Sequence, residues 1–122
     1  MSARRSERLA EEIREEVARI VATGLKDPRI GFVTVTRVEL TADLRTARVH
    51  VGVLGEKPVQ ERTLLALGQA AGFVRHELGR RIRVKHTPEV RFFYDTGLDA
   101  AERVARLLAE ERSPAPEEPD EH

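Results

Sequence analysis

A chain of 122 residues with 21 basic and 21 acidic side chains carries no formal net charge, so any cationic surface must be placed rather than averaged. The length suits one domain able to bury a core without staples. Without cysteine, a disulfide framework, a Cys-based zinc site and a thiol nucleophile are excluded, which fits a reducing compartment.

Residues Arg4 to Ala22 read as an amphipathic helix, with Leu9, Ile13, Val17, Ile20 and Val21 on one stripe. Glu and Arg alternate on the other face. Arg4, Arg5 and Arg8 stand at the start, where the helix dipole disfavours cations. Thr23 and Gly24 are expected to end the helix, with Gly24 as a left-handed cap. Lys26-Asp27-Pro28-Arg29 forms a turn in which Asp27 and Arg29 make a structural pair.

Phe32 to Leu40 is the first strand, rich in β-branched residues. Its apolar phase changes between Val33/Val35 and Val38/Leu40, and a bulge near Thr36 reconciles the two. After the loop Thr41 to Arg45, the second strand runs from Thr46 to Leu54. Ala47, Val49, Val51 and Val53 point inward, and Arg48, His50 and Gly52 outward. One apolar and one polar face imply an antiparallel hairpin packed on helices.

Pro58 opens the next helix. Leu64, Leu67, Ala71, Val74, Leu78 and Ile82 continue one stripe, yet Gly68 and Gly72 interrupt it. Two glycines one turn apart predict a bend or a close backbone approach, and Gly79 repeats the signal. Thr87-Pro88 breaks the pattern before a third strand, Val90 to Tyr94. A turn at Asp95-Thr96-Gly97 and a last helix, Leu98 to Glu111, follow. The Pro-rich acidic end is expected to be disordered. The order implies an α/β (α+β) sandwich of two layers, with a three-stranded sheet on helices. Residues 1–112 form the domain and 113–122 the tail.

The densest signal lies between Gln69 and Arg91. Arg75, Arg80, Arg81, Arg83, Lys85 and Arg91 face only Glu77 and Glu89, with His76 and His86 beside them. Such a segment points to a polyanion. Arg suits phosphate because its planar fork matches two oxygens. Aromatics are few, which disfavours a base-stacking platform.

These landmarks together resemble the ribosome-binding factor A family. They are the Arg-rich first helix before Lys26-Asp27-Pro28-Arg29, the Val33-Thr34-Val35-Thr36 strand and the Asp43-Leu44 turn before Ala47-Arg48-Val49. Val53-Leu54-Gly55, Ala70-Ala71-Gly72, Phe73-Val74-Arg75, Leu78-Gly79, the Arg-Ile-Arg run, Pro88-Glu89-Val90 and Phe92 to Asp95 continue the match, which spans roughly residues 4 to 108. The resemblance implies a type II KH-like fold in which an Ala-x-Gly helix kink (Ala70, Ala71, Gly72) takes the place of the GxxG loop. It implies a cytoplasmic, non-catalytic factor linked to cold adaptation. Such a factor binds the small ribosomal subunit and assists late maturation and processing of its rRNA.

On that reading Arg4, Arg5, Arg8, Arg75, Arg80, Arg81, Arg83 and Lys85 contact RNA phosphates, and Gly72 sets the angle between two helical halves. No catalytic residue, metal ligand or cofactor is expected, since His50, His76 and His86 lack helical ligand spacing. The expected partners are the small subunit and its rRNA, with no membrane and a monomer when free. Two other readings share these residues. One is a general KH-type single-stranded RNA-binding regulator. The other is a protein-interaction module using Arg48, His50 and Arg91 on the outer sheet face.

Overall fold

The computed structural model describes residues 3–95 and 105–109. In chain order the elements are α1 (Ala3–Gly24), β1 (Val33–Leu40), β2 (Thr46–Val53), α2 (Lys57–Gln69), α3 (Ala71–Gly79) and β3 (Glu89–Tyr94). The sheet order is β1-β2-β3, with β2 antiparallel to β1 and parallel to β3. A parallel neighbour needs a crossover, and α2 with α3 supplies it. The result is an α+β fold with helices against one sheet face.

The core follows from two periodicities. Ile13, Val17, Ile20 and Val21 of α1 are buried against Val35, Ala47, Val49, Val51, Val53 and Val90 of the sheet. Each fully buried aliphatic side chain contributes roughly 1.5–3 kcal/mol. The mixed phase of β1 is resolved as expected. Its register with β2 slips between Val35 and Arg37, leaving Thr36 as the extra residue. Val33, Val38 and Leu40 therefore all reach the core. Thr36 is buried; its hydroxyl donates to Asp95 Oδ2 at 2.6 Å and lies 3.1 Å from the His50 carbonyl.

Between β1 and β2, Leu44 holds a left-handed φ of 61°. Leu44 N–H donates to the Thr41 carbonyl at 2.8 Å. The Thr41 hydroxyl and the Arg45 N–H both donate to Asp43 Oδ1, which holds that carboxyl below its ordinary range. These bonds offset the strain of a left-handed branched side chain.

The Asp27–Arg29 pair is structural, as expected. The guanidinium meets the carboxylate at 2.7 Å and also donates to Gln69 Oε1 at 2.8 Å, at the end of α2. The buried Thr63 hydroxyl donates to the Arg29 carbonyl at 3.2 Å and accepts from Gly31 N–H at 3.3 Å. The loop is thus tied to α2 at two points. Hydrogen bonds from the Arg29 side chain and then from its backbone N–H hold the Asp27 carboxyl down at about 2, from an ordinary 3.8. A carboxyl depressed in the folded state adds stability above its ordinary value and loses it as pH falls through the folded one. Replacing Asp27 with Asn should remove the part of the acid transition between about pH 4 and 2. Parallel acid titrations by circular dichroism test this, and superimposable curves contradict it.

Three glycines behave differently from expectation. Gly24 is no left-handed cap: α1 runs through it, and among the described residues the positive-φ glycine is Gly55, at 128°. A Cβ on Gly55 would lie 3.0 Å from Val59 Cβ, so glycine is doubly required there. Gly68 and Gly72 permit no close backbone approach, since a Cβ on either would meet nothing within 4 Å. The helical stripe is broken at Ala70 (φ −90°, ψ 1°), within the stretch Ala70, Ala71 and Gly72 where a kink was expected, and the Ala70 N–H still reaches the Ala66 and Leu67 carbonyls at 3.0 Å. Gly72 is the second residue of α3, in the first turn after the break at Ala70.

Residues 105–109 are helical. The rest of the expected last helix, the turn beyond Asp95 and the acidic tail at 113–122 lie outside the described residues. Among the described residues no helix is long and apolar enough to cross a membrane.

Candidate nucleic-acid interface

The basic stretch folds into two walls with a groove between them. One wall is an exposed flank of α3, where Gly72, Arg75, His76 and Gly79 share helical spacing. The other is the connection to β3, which brings Lys85, His86 and Thr87 alongside. Arg80 closes the end. The opening is wide and holds about 580 Å³.

Two local contacts set the walls at this spacing. Arg75 donates from Nε (3.2 Å) and Nη2 (2.9 Å) to the Thr87 carbonyl, so a charged side chain clips loop to helix. One turn later, a Cβ on Gly79 would stand 2.8 Å from Thr87 Oγ1. Glycine at 79 therefore lets the loop press against α3. The close approach suggested by the glycine pattern exists, but at Gly79 rather than at Gly68 or Gly72. Packing beneath holds α3 in place: Val74 and Leu78 are fully buried, and Ile82 follows them into the core.

The eight cations expected to act together are divided by the fold. Arg75, Arg80 and Lys85 line the groove. Arg81 turns toward α1, 3.6 Å from Glu16 and 3.8 Å from Glu77. Arg80 lies 3.5 Å from the same Glu77, mostly exposed. Exposed pairs of this kind contribute little and leave the cation available to a ligand. Arg83 is exposed, outside the groove lining, and among the described residues neither it nor Lys85 pairs with a carboxylate. Arg4, Arg5 and Arg8 are exposed on α1. At 1.5 Å per residue they stand about 12–18 Å along the helix from Glu16, where α1 meets Arg81. They do not join the groove.

The outer sheet face carries a separate group. Arg48 and Arg91 are register partners on β2 and β3. His50 lies 3.2 Å from Glu39 Oε1, and its ring centroid is 5.7 Å from that of Phe93. Glu39 also holds Arg37 at 2.6 Å. This face has carboxylates among its cations, whereas among the described residues no carboxylate lines the groove. The Arg75–Thr87 clip was invisible to sequence spacing, and the glycine pattern marked Gly79 without naming Thr87, because both contacts depend on how the loop closes.

The family model for ribosome-binding factor A matches residues 5–108. A ribosome-binding factor A of Desulfitobacterium hafniense is 49% identical over 108 residues, covering 88% of this chain and 86% of that one. That of Desulforamulus reducens is 47% identical over 106 residues, covering 87% and 88%. The crystal structure of ribosome-binding factor A from Thermus thermophilus superposes with a TM-score of 0.65 at 28% identity, over 73% of this chain and 94% of that one. Coordinates of the Thermus thermophilus factor fitted into a cryo-EM map of a 30S complex give 0.61 at 28%, over 72% and 92%.

Proposed function

The chain belongs to the ribosome-binding factor A family, and from that premise we propose that it is a non-catalytic assembly factor of the small ribosomal subunit. It binds the subunit through rRNA phosphates, as a monomer in the cytoplasm, and assists late maturation of the rRNA under a type II KH-like architecture. Assistance in the cold belongs to the same reading. One observation carries the proposal: Arg75, Arg80 and Lys85 are gathered around a groove with no carboxylate in its lining among the described residues, in a chain without net charge. The 30S complex of the Thermus thermophilus relative supports the choice of partner. Binding here is positional, since phosphate contacts fix orientation without reading sequence.

The test is sedimentation with immature small subunits, mature small subunits and short oligoribonucleotides at matched salt. Retention is expected on small subunits, strongest on the immature ones, with little on the oligonucleotides. Equal or preferential binding to free single strands would move the protein to a general RNA regulator. No cosedimentation at low salt removes the proposal.

A further inference from the structure

The neutrality of the chain is a balance between a cationic body and an anionic end. Residues 113–122 hold four acids, Glu117, Glu118, Asp120 and Glu121, and no Lys or Arg. Taking those four from 21 acids leaves 17 against 21 bases in residues 1–112, a net +4 beside a segment of −4. The segment contains no Phe, Tyr, Trp, Leu, Ile or Val, so its hold on any surface comes from its carboxylates. Those carboxylates gain most at cations that no other acid opposes. On the outer sheet face Glu39 holds Arg37 at 2.6 Å, and Glu89 lies 3.7 Å from Arg91. At the start of α1, Glu7 stands among Arg4, Arg5 and Arg8. Around the groove, Arg75, Arg80 and Lys85 meet without a carboxylate in the lining among the described residues. Distance does not confine the acids to one side of the molecule. Glu118 stands nine residues beyond Ala109, a reach of up to about 30 Å, against a radius of gyration of about 13 Å for a domain of this size.

We propose that residues 113–122 dock in the groove between α3 and the 83–88 loop, covering Arg75, Arg80 and Lys85 until a longer polyanion displaces them. This rests on the reading of the groove as the surface that meets rRNA, and adds how access to it is controlled. Pro114, Pro116 and Pro119 bias the segment toward polyproline II, with three residues per turn and a rise of about 3.1 Å. On that pitch Glu117 and Asp120 share one edge and Glu118 and Glu121 the next, while Pro116 and Pro119 take the third. Two adjacent edges thus carry every acid of an extended, one-sided polyanion. The arginine fork that suits phosphate takes a carboxylate equally well. Arg75 gives Nε and Nη2 to Thr87, which leaves Nη1 to meet an anion. Tethering supplies a concentration on the order of millimolar, so even a weak contact is populated. A short anion then competes with a rival it cannot outrun. A long run of phosphates neutralises more cations at once and takes the groove. The segment holds the protein off small polyanions and yields to a large one.

The experiment compares the intact chain with a neutral-end variant carrying Glu117→Gln, Glu118→Gln, Asp120→Asn and Glu121→Gln. Amide spectra are recorded without ligand at low salt and at about 1 M salt, where the Debye length is about 3 Å. Differences between the two proteins are expected at Arg75, Gly79, Arg80 and Lys85 at low salt, and should vanish at high salt. Adding Arg80→Gln and Lys85→Gln to both proteins should at least halve those differences, because the cycle removes the other half of the contact. The neutral-end variant should bind a uridine hexaribonucleotide about fivefold more tightly at low salt, which corresponds to a groove open about one-fifth of the time in the parent chain. Differences confined to residues 110–122, or mapping to Arg48, His50 and Arg91, overturn the proposal. Tighter oligonucleotide binding without groove differences also overturns it, since the acids would then repel RNA at a distance rather than occupy the site. Groove differences in a parent chain that does not cosediment with small subunits leave the docking standing and remove the ribosomal role. Cosedimentation of the parent chain with no groove differences does the reverse.

Discussion

Replacing Leu78 with Ala should lower the stability of the domain by about 3 kcal/mol, within the usual range for a buried leucine. For a domain of roughly 100 residues that is a melting point lower by about 12–24 °C. At nine residues α3 is too short to persist alone, so its helicity comes from packing. Leu78 is fully buried and sits one turn beyond Val74, facing the same core as α1 and β3. Truncation leaves a cavity that close-packed neighbours fill only in part. Leu65 on α2 is the control: it is 58% exposed, so its replacement by Ala should fall within about 0.5 kcal/mol. Urea and thermal denaturation of both variants decide the matter. A Leu78→Ala loss below about 1 kcal/mol would mean that α3 is not held as described.

The second large effect concerns affinity. Substituting Gln for Arg80, Arg83 and Lys85 together should weaken binding to small subunits by about a hundredfold at moderate salt. It should also flatten the logarithmic salt dependence by roughly 2 to 3, near one unit for each phosphate no longer neutralised. Arg83 and Lys85 have no carboxylate partner among the described residues, and Arg80, itself mostly exposed, lies 3.5 Å from Glu77, which keeps Arg81 beside it. Removing these cations therefore leaves no buried charge behind, and the fold should be nearly unaffected. Arg75 is left out because it also clips Thr87. Arg81→Gln serves as comparison. Its guanidinium is turned between Glu16 and Glu77, so its contribution to affinity should be clearly smaller than that of Lys85. A triple variant whose salt slope equals that of the parent chain would show that these residues meet no phosphate.

The architecture was legible wherever one face of an element is apolar. α1 and β2 follow from single periodicities, and even the bulge at Thr36 was written in the phase change of β1. The parallel placement of β3 was not legible, because neighbour choice in a sheet depends on tertiary contacts that no local pattern encodes. Leu44 was missed because its left-handed backbone is held by Thr41 and Asp43 rather than by glycine. The site was legible in charge but not in geometry. Spacing put the cations on one stretch, and the fold turned Arg81 toward α1 and kept the α1 arginines apart. The glycines signalled something unusual, but sequence cannot say which of them marks a bend and which a tight contact. The break falls at Ala70, the tight contact at Gly79, and the open positions are Gly68 and Gly72.

The crossover into β3 has a further consequence for when this surface exists. The hairpin of β1 and β2 closes over a short loop, whereas β3 pairs with β2 only after the long excursion from Val53 to Glu89. Non-local parallel pairing of this kind forms late, after the entropy of loop closure has been met. The wall bearing Lys85 and Thr87 hangs from that last strand. A chain in which β3 has not yet paired already carries Arg75, Arg80 and Lys85 and possesses no groove, so on the proposed reading the site is completed only as folding finishes.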